Sequence, residues 1–291
     1  MAMVHNPTLF EVLQEASIFL GQKEDSSHLA RHYWLELFDW SLTDLVLKMQ
    51  QPVDQAMIKE YQNALKRLLQ DEPIQYIKGY AYFNDKRFKV TPDVLIPREE
   101  TKGLLDLVKA YHPKDKEYEL LDIGTGSGIL GIELALLYPK SRVTATDISA
   151  KAMAVAKDNQ QAHQVKVTNY ITDLVADIPT QQQFDIIVSN PPYISHDEVH
   201  LMTQNVLKYE PHVALFADHD GLLVYERLAK ELPKRIKEKG LIALEIGFNQ
   251  GEAVKELFQQ AFPKAYVTCH QDFNEQDRYI LIDLKGRDHY E

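Results

Sequence analysis

Short apolar runs alternate with amphipathic helical segments along most of the chain, from about residue 103 onward. This alternation predicts a mostly parallel sheet with helices on both faces, because parallel neighbours need a crossover helix between them. Residues 271 to 277 are too few for such a helix, so the last two runs are predicted to pair antiparallel. We therefore predict an α/β fold with a Rossmann-like, seven-stranded, mostly parallel sheet and an antiparallel last strand. The predicted strands are 119–123, 142–146, 165–171, 184–189, 241–245, 265–270 and 279–284.

The first part of the chain, up to about residue 72, has a helical pattern instead. Apolar residues recur there at intervals of three and four, and Thr8 with Glu11 has the spacing of a capping box. Two short runs flanking Asn84-Asp85 then predict a β-hairpin. We expect a small helical bundle over residues 1–73, a β-hairpin linker over 74–101 and a larger domain over 102–291.

Composition limits the possible partners and compartments. The formal net charge of −11 disfavours nucleic-acid binding, which depends on Lys and Arg neutralising phosphates. The single cysteine, Cys269, excludes an internal disulfide and a cysteine-based zinc site, and no metal is expected. No signal peptide and no apolar run of about 20 residues is found, so we expect a soluble, cytoplasmic protein without a membrane partner.

A glycine-rich segment, Asp122-Ile123-Gly124-Thr125-Gly126-Ser127-Gly128, follows the first predicted strand of the sheet and opens a helix. The next strand ends at Asp147, roughly 20 residues on, where a carboxylate can accept hydrogen bonds from ribose hydroxyls. A pyrophosphate would favour the G-x-G-x-x-G spacing and would be repelled by Asp122, whereas a cationic, phosphate-free cofactor would benefit from it. The segment therefore favours S-adenosylmethionine over NAD.

Asp173 and Leu174 follow the third predicted strand of the sheet. In this fold their position lies near the adenine of a bound nucleoside, which makes them candidate cofactor contacts. The alternative for Asp173 is a helix cap, and the local sequence leaves both open.

The segment Asn190-Pro191-Pro192-Tyr193 lies at the carboxyl end of the fourth predicted strand, where ligands sit in open α/β sheets. The Asn190 side-chain oxygen and the Pro191 carbonyl could accept both hydrogens of a planar NH₂ group, while Tyr193 stacks on its face. Prolines also stiffen the backbone. The alternative is a proline-rich turn packed on a core tyrosine. Behind the glycine segment and Asp147, the pattern favours methyl transfer to an amide or amine nitrogen.

With these motifs and Ile96-Pro97-Arg98-Glu99-Glu100-Thr101, the sequence resembles the bacterial peptide chain release factor glutamine methyltransferases over nearly its whole length. The resemblance implies S-adenosylmethionine as cofactor, S-adenosylhomocysteine as product, and the glutamine of the Gly-Gly-Gln tripeptide in class 1 release factors as substrate. It implies that the helical domain docks the release factor. It also implies that Arg98, Glu100 and Thr101 border the substrate pocket.

The sequence departs from many members of that family at three positions. Glu99 stands where proline is common, Lys102 where an acidic residue is common, and Leu174 where an aromatic residue is frequent. A surface ion pair of Arg98 with Glu99 or Glu100 is the alternative to its pocket role.

Two other functions are compatible with parts of the pattern. An adenine-amine methyltransferase would use the same Asn-Pro-Pro-Tyr grip on a flipped base, but the acidic charge argues against a nucleic-acid substrate. A binding module that has lost catalysis would have no need of so specific a loop. Only the site distinguishes these functions, because the fold is shared.

Overall fold

The computed structural model describes residues 6–21 and 28–285. These residues form two compact units, one of residues 6–21, 28–79 and 204–209 and one of residues 80–203 and 210–285. None of the helices in the described ranges is both long and apolar enough to cross a membrane.

The described residues form eleven α-helices and nine strands. The helices are α1 (Leu9–Leu20), α2 (Leu29–Phe38), α3 (Leu42–Lys48), α4 (Gln55–Leu68), α5 (Ile74–Lys78), α6 (Lys102–Tyr111), α7 (Ile129–Leu137), α8 (Ala150–Ala162), α9 (Gln204–Tyr209), α10 (Leu223–Glu231) and α11 (Gly251–Ala261). The strands are β1 (Tyr80–Phe83), β2 (Lys86–Lys89), β3 (Glu119–Ile123), β4 (Arg142–Asp147), β5 (Val167–Ile171), β6 (Phe184–Ser189), β7 (Ile236–Glu245), β8 (Tyr266–Gln271) and β9 (Asp277–Asp283).

The smaller unit is helical, as its apolar spacing predicts. Thr8 and Glu11 form the expected capping box at the start of α1. Trp34 and Tyr61 are buried at the centre of the core, and the Tyr61 hydroxyl donates to the Ala30 carbonyl at 2.6 Å. That hydrogen bond satisfies the phenol in an otherwise apolar interior.

The larger unit contains the predicted seven-stranded sheet, in the order β5-β4-β3-β6-β7-β9-β8. Strand β9 runs antiparallel to both β7 and β8, and the remaining pairs are parallel, which confirms the predicted antiparallel last strand. After β3 the chain adds β4 and then β5 on one side of β3, and it then crosses to β6 on the other side of β3. The carboxyl ends of β3 and β6 therefore flank the switch point at which such sheets bind ligands.

Helices cover both faces of this sheet. On one face Ile123, Ile187 and Leu244 pack in a core with Tyr225 of α10 and Phe258 of α11. On the other face Leu120, Val188 and Leu241 pack in a core with residues of α6 and α7. The strands are apolar on both sides because both sides are buried.

Two details refine the sequence-based expectation. Asn84 and Asp85 have positive φ angles of 48° and 61°, so the hairpin between β1 and β2 turns as a two-residue loop of this type requires. Strand β7 begins at Ile236 rather than at residue 241, and Ile236 pairs with Phe184. The charged residues Lys237, Glu238 and Lys239 mask this extension in the apolar pattern.

Candidate active site

The glycine segment turns sharply between β3 and α7. Gly124, Gly126 and Gly128 have φ angles of +70°, +54° and +88°, a region that residues with a side chain rarely adopt. A Cβ on Gly124 or Gly126 would meet no atom within 4 Å. These two glycines are therefore required for backbone conformation, and space beside them is open to a ligand.

Asp122 braces this turn from inside the protein. Its side chain is fully buried, and its Oδ2 accepts from the Thr125 hydroxyl at 2.6 Å and from the Gly131 N–H at 2.9 Å. Burial raises the pKa of Asp122 to about 7, against the two hydrogen bonds, which lower it. Asp122 thus fixes the shape of the loop, and Thr125, predicted as a cofactor contact, directs its hydroxyl to Asp122.

Asp147 ends β4 beside the same turn. Its Oδ2 accepts from the Gly126 N–H at 2.9 Å and its Oδ1 from the Ser149 N–H at 2.8 Å. Burial raises its pKa, and these two backbone donors oppose the shift. The structure brings Asp122, Asp147 and the glycines together, as the sequence predicts.

A residue that the sequence analysis did not single out fastens the turn to its surroundings. Asn159 of α8 is 2% exposed, and its amide donates to the carbonyls of Ser127 at 2.8 Å and Lys89 at 3.0 Å. Its Oδ1 accepts from the Lys89 N–H at 2.7 Å. A buried asparagine within a helix gives no local sequence signal, so only the structure identifies it.

Asp173 and Leu174 lie after β5. Asp173 forms an ion pair with Arg227 of α10 at 2.9 Å, and Leu174 has a positive φ of 49°. Both partners of the ion pair are partly exposed, so its contribution to stability is small. The adenine role of these two residues remains a prediction.

The Asn-Pro-Pro-Tyr segment begins where β6 ends, next to the end of β3. The Asn190 Nδ2 donates to the Thr101 hydroxyl oxygen at 3.1 Å. The pairing of Ser189 with Leu244 places Asn190 and Glu245 side by side at the ends of β6 and β7, and the side chains of Thr101 and Asn190 lower the pKa of the Glu245 carboxyl. The hydrogen bonds of the Asn190 amide thus run through its NH₂ group. Its Oδ1 is left to act as an acceptor, which is the role that the sequence assigns to it.

The segment that follows is held rigidly from three sides. Ile194 bridges Phe216, donating to the Leu215 carbonyl at 2.9 Å and accepting from the Ala217 N–H at 3.0 Å. The Gln250 Nε2 donates to the Tyr193 carbonyl at 2.9 Å. Gly221, at a φ of +82°, lies so close to this carbonyl that a Cβ would come within 2.1 Å of its oxygen.

Tyr193 lines a cleft of about 210 Å³ together with Ile194, Met202, Phe248 and Arg278. Burial raises the pKa of Tyr193 to about 12, with the nearby Glu245 carboxyl as a second cause. The phenol therefore stays neutral at physiological pH. Its ring can pack against a flat group without introducing a charge.

The Ile-Pro-Arg segment is anchored by Glu210. This carboxylate is 4% exposed and accepts from Arg98 at 2.5 Å and from the Ile96 N–H at 3.1 Å. The alternative pairing of Arg98 with Glu99 or Glu100 is therefore wrong, because Arg98 pairs instead with a buried acid far along the chain. The Glu100 carbonyl accepts from the hydroxyl of Tyr279 at 2.5 Å, and Thr101 is buried below Asn190.

These groups suit a cofactor that has a ribose and no phosphate. The turn offers open space at two glycines, Asp147 stands at the neighbouring strand end, and the nearest acids would repel a pyrophosphate. When bound, S-adenosylmethionine would supply a methyl group on a positively charged sulfur. Asn190 lies at the adjacent strand end, where the sequence predicts that its oxygen orients an NH₂ group.

The chain matches two family models. One, described as the methyltransferase small domain, covers residues 101–239, and the other, the PrmC N-terminal domain, covers residues 11–79.

Curated relatives match almost end to end. The release factor glutamine methyltransferase of Lactococcus lactis is 41% identical over 249 residues, covering 86% of this chain and 87% of the relative. That of Staphylococcus aureus is 36% identical, covering 93% and 97%. Among solved structures, a methyltransferase from Pyrococcus furiosus superposes with a TM-score of 0.51 at 19% identity, covering 77% of this chain and 98% of that one, and it shares the fold.

Proposed function

The chain belongs to the release factor glutamine methyltransferase family, and from this membership we propose that its Asn-Pro-Pro-Tyr loop grips a substrate glutamine by its side-chain amide. The enzyme methylates the side-chain amide nitrogen of a glutamine in a peptide chain release factor. We assign this glutamine to the Gly-Gly-Gln motif of class 1 release factors, whose methylation would modulate translation termination. The observation that carries the proposal is the Asn190 amide, held by its NH₂ group with its oxygen as the remaining acceptor.

An amide nitrogen needs such a grip because its lone pair is delocalised into the carbonyl. Asn190 Oδ1 and the Pro191 carbonyl would accept its two hydrogens and favour the geometry in which the lone pair faces the methyl group. Pro191 and Pro192 hold the backbone in place, and Tyr193 packs against the amide plane. The residues thus act mainly by positioning and local electrostatics.

We propose S-adenosylmethionine as the methyl donor, leaving as S-adenosylhomocysteine. Asp147 would accept from its ribose, and the backbone from Gly124 to Gly128 would border it, with Asp122 bracing the turn from below. Asp173 and Leu174 would lie on the adenine side. Membership of a methyltransferase family supports this cofactor, and the open space at Gly124 and Gly126 supports its place.

We further propose that the helical domain, predicted over residues 1–73, docks the release factor. Arg98, Glu100 and Thr101 would border the glutamine pocket. The partner is then a protein of the translation apparatus, which places the enzyme in the cytoplasm and requires no stable nucleic-acid complex. The net charge of −11 is consistent with a protein partner rather than a phosphate backbone.

The test is mass spectrometry of a class 1 release factor incubated with this enzyme and S-adenosylmethionine. We expect a gain of one methyl group, about 14 Da, on the glutamine that follows two glycines. A release factor with glutamate in place of that glutamine is the matched control and should remain unmodified. RNA and DNA are incubated in parallel. Methyl on adenine, with none on the release factor, would transfer the function to the adenine-amine class.

A further inference from the structure

Glu245 is a buried acid that the proposed reaction does not directly use. It ends β7, is 2% exposed, and its Oε2 has no hydrogen-bond partner among the residues that the structure describes. The register of β6 and β7 pairs Ser189 with Leu244 and so places Glu245 beside Asn190. The side chains of Thr101 and Asn190 lower the pKa of its carboxyl. A buried carboxyl with an unpartnered oxygen costs free energy, and apolar packing gives no reason to keep it.

The geometry around Asn190 supplies a reason. The oxygen and the NH₂ group of an asparagine side chain are nearly the same size, so hydrogen-bond partners decide which of them faces a ligand. An ionised carboxylate only accepts hydrogen bonds, so a charged Glu245 favours the arrangement in which Thr101 and Asn190 turn their hydroxyl and NH₂ hydrogens toward it. The Thr101 oxygen then accepts from the Asn190 Nδ2, at 3.1 Å. The Thr101 oxygen and the negative charge of Glu245 together favour the orientation in which the NH₂ group faces inward.

We propose that Glu245 and Thr101 are positioning residues that fix the Asn190 amide with Oδ1 directed at the substrate. The inference rests on the proposed function, because an NH₂ substrate is what requires an acceptor at this point. In the reversed orientation, the Asn190 NH₂ group would face the substrate NH₂ group, and two donors would oppose each other.

The protonation state of Glu245 would then control this orientation. Burial raises the pKa of Glu245 to about 7, with Arg278 lowering it and Glu100 raising it. The phenols of Tyr193, Tyr225 and Tyr279 also face this carboxyl, and their own pKa values are raised, so they stay neutral through this range. A protonated Glu245 can donate to Asn190 Oδ1 and favour the reversed amide. Activity should therefore fall as the pH drops through the pKa of Glu245.

The first experiment is steady-state kinetics on the release factor with four variants. Thr101→Val keeps the shape of the side chain but removes the hydroxyl, and we expect kcat to fall between about 10- and 100-fold. Thr101→Ser restores the hydroxyl and should recover most of this rate. Glu245→Gln should lower kcat and abolish the acid limb of the pH profile. Glu133→Gln removes another buried carboxylate, on α7, and should leave kcat and the pH profile unchanged.

Cofactor affinity, measured by calorimetry, separates positioning of Asn190 from damage to the cofactor site. We expect Thr101→Val and Glu245→Gln to bind S-adenosylmethionine within about threefold of the unmodified enzyme. A parallel loss of cofactor affinity and rate would overturn the positioning role.

A second experiment needs no substrate. The side-chain NH₂ signal of Asn190 is identified by nuclear magnetic resonance as the one missing in Asn190→Ala. We expect this signal to titrate with a midpoint near the pKa of Glu245, about 7, and to stop titrating in Glu245→Gln. The Glu133→Gln protein should titrate like the unmodified one.

The two experiments separate the proposed function from the positioning role of Glu245 and Thr101. A release factor that is never methylated by the unmodified enzyme overturns the proposed function, whatever the resonance signal does. An enzyme that methylates normally in Thr101→Val, with an Asn190 signal that ignores pH, overturns the positioning role alone. A titrating signal together with serine rescue supports both.

Discussion

At the scale of single residues, the acceptor oxygen of Asn190 separates catalysis from cofactor binding. Asn190→Ala removes this oxygen and the hydrogen bond to Thr101, while the glycine turn and Asp147 stay in place. We expect the rate of methyl transfer to fall at least about 100-fold, the cost typical of removing one oriented polar group.

Cofactor affinity in the same variant should stay within about tenfold, or ~1.4 kcal/mol. The comparison uses single-turnover methylation for rate and calorimetry for affinity. A loss of affinity as large as the loss of rate would contradict the role given to Asn190.

Substitution of Asp147 should have the opposite effect and weaken cofactor affinity more than the rate of methyl transfer. Its carboxylate braces the Gly126 N–H and is the proposed ribose acceptor, so Asp147→Ala removes both interactions. Charged hydrogen bonds contribute about 1.5–3 kcal/mol each, and we expect S-adenosylmethionine to bind roughly 10- to 100-fold more weakly. With saturating cofactor, much of the rate should return. Unchanged affinity in calorimetry would remove Asp147 from the cofactor site.

The sequence identifies some of these residues because their signal is local. Asp122 and Asp147 are acids at strand ends, and Asn190 opens the Asn-Pro-Pro-Tyr segment at another strand end. Glu245 carries the same strand-end signal and could have been found by the same rule. Asn159 and Glu210 could not, because their importance depends on partners at Lys89 and Arg98 that lie far away in the sequence.

At the scale of elements, the loop after β6 depends on the close approach of a second loop. Gly221→Ala would drive a Cβ to 2.1 Å from the Tyr193 carbonyl oxygen and would also strain a φ of +82°. We expect the Tyr193 segment to shift and kcat to fall by about 100-fold, since a displacement of about 1 Å at a reacting group has this cost.

The matched control is Gly79→Ala. Gly79 has a φ of +78°, but a Cβ there would meet no atom within 4 Å, so it reproduces the strain without the collision. Thermal unfolding should show a cost on the order of 1 kcal/mol from strain in Gly79→Ala, and a larger cost in Gly221→Ala, which adds the collision. Equal activity of the two variants would show that contact with Tyr193 is unimportant.

The elements themselves follow closely from the sequence, because each has a strong periodic signal. The seven strands, the antiparallel last strand and the hairpin at Asn84-Asp85 are all confirmed. The start of β7 at Ile236 is missed because the charged residues 237–239 interrupt the apolar pattern. The pairing of Ile236 with Phe184, which extends the strand, is visible only in the structure. The order of the strands in the sheet depends on how the crossover connections place them, so no single segment of the sequence predicts it.

At the scale of the whole molecule, buried acids make stability depend on pH. Asp122 has a pKa of about 7 in the folded protein against an ordinary value of 3.8, and Glu245 about 7 against 4.5. Between these values the folded protein binds more protons than the unfolded chain. Its free energy of unfolding therefore falls as the pH rises through this window.

His112 acts in the opposite sense. Burial lowers its pKa to about 4 from 6.5, so below 6.5 the unfolded chain binds a proton that the folded protein does not. This contribution to stability increases as the pH rises from about 4 to 6.5. The effect of the acids is therefore isolated by comparing variants at each pH.

The test is urea unfolding, without cofactor, of the unmodified protein and Asp122→Asn at pH 5 and pH 8. The variant has no carboxyl to ionise at this position. We therefore expect its free energy of unfolding, relative to that of the unmodified protein, to rise by on the order of 2 kcal/mol from pH 5 to pH 8. Asp106→Asn, at an exposed position of α6, should track the unmodified protein at both. A constant difference for Asp122→Asn would mean that Asp122 does not ionise in this range.

Thr101, Asn190 and Glu245 belong to three segments that are far apart along the chain, and strand β9 must pair with β7 before the edge beside Glu245 is complete. Contacts between such distant segments form late, since each requires a large loop to close. During synthesis, a chain that still lacks its last strand can have a folded helical unit and a formed glycine turn. Such a chain still lacks Arg278 and Tyr279, which lie near the Glu245 carboxyl, so we expect Asn190 to be fully oriented only after β9 has paired. Competence to methylate thus marks the end of folding, which makes the methylation assay a stricter measure of correct folding than helix content or cofactor binding.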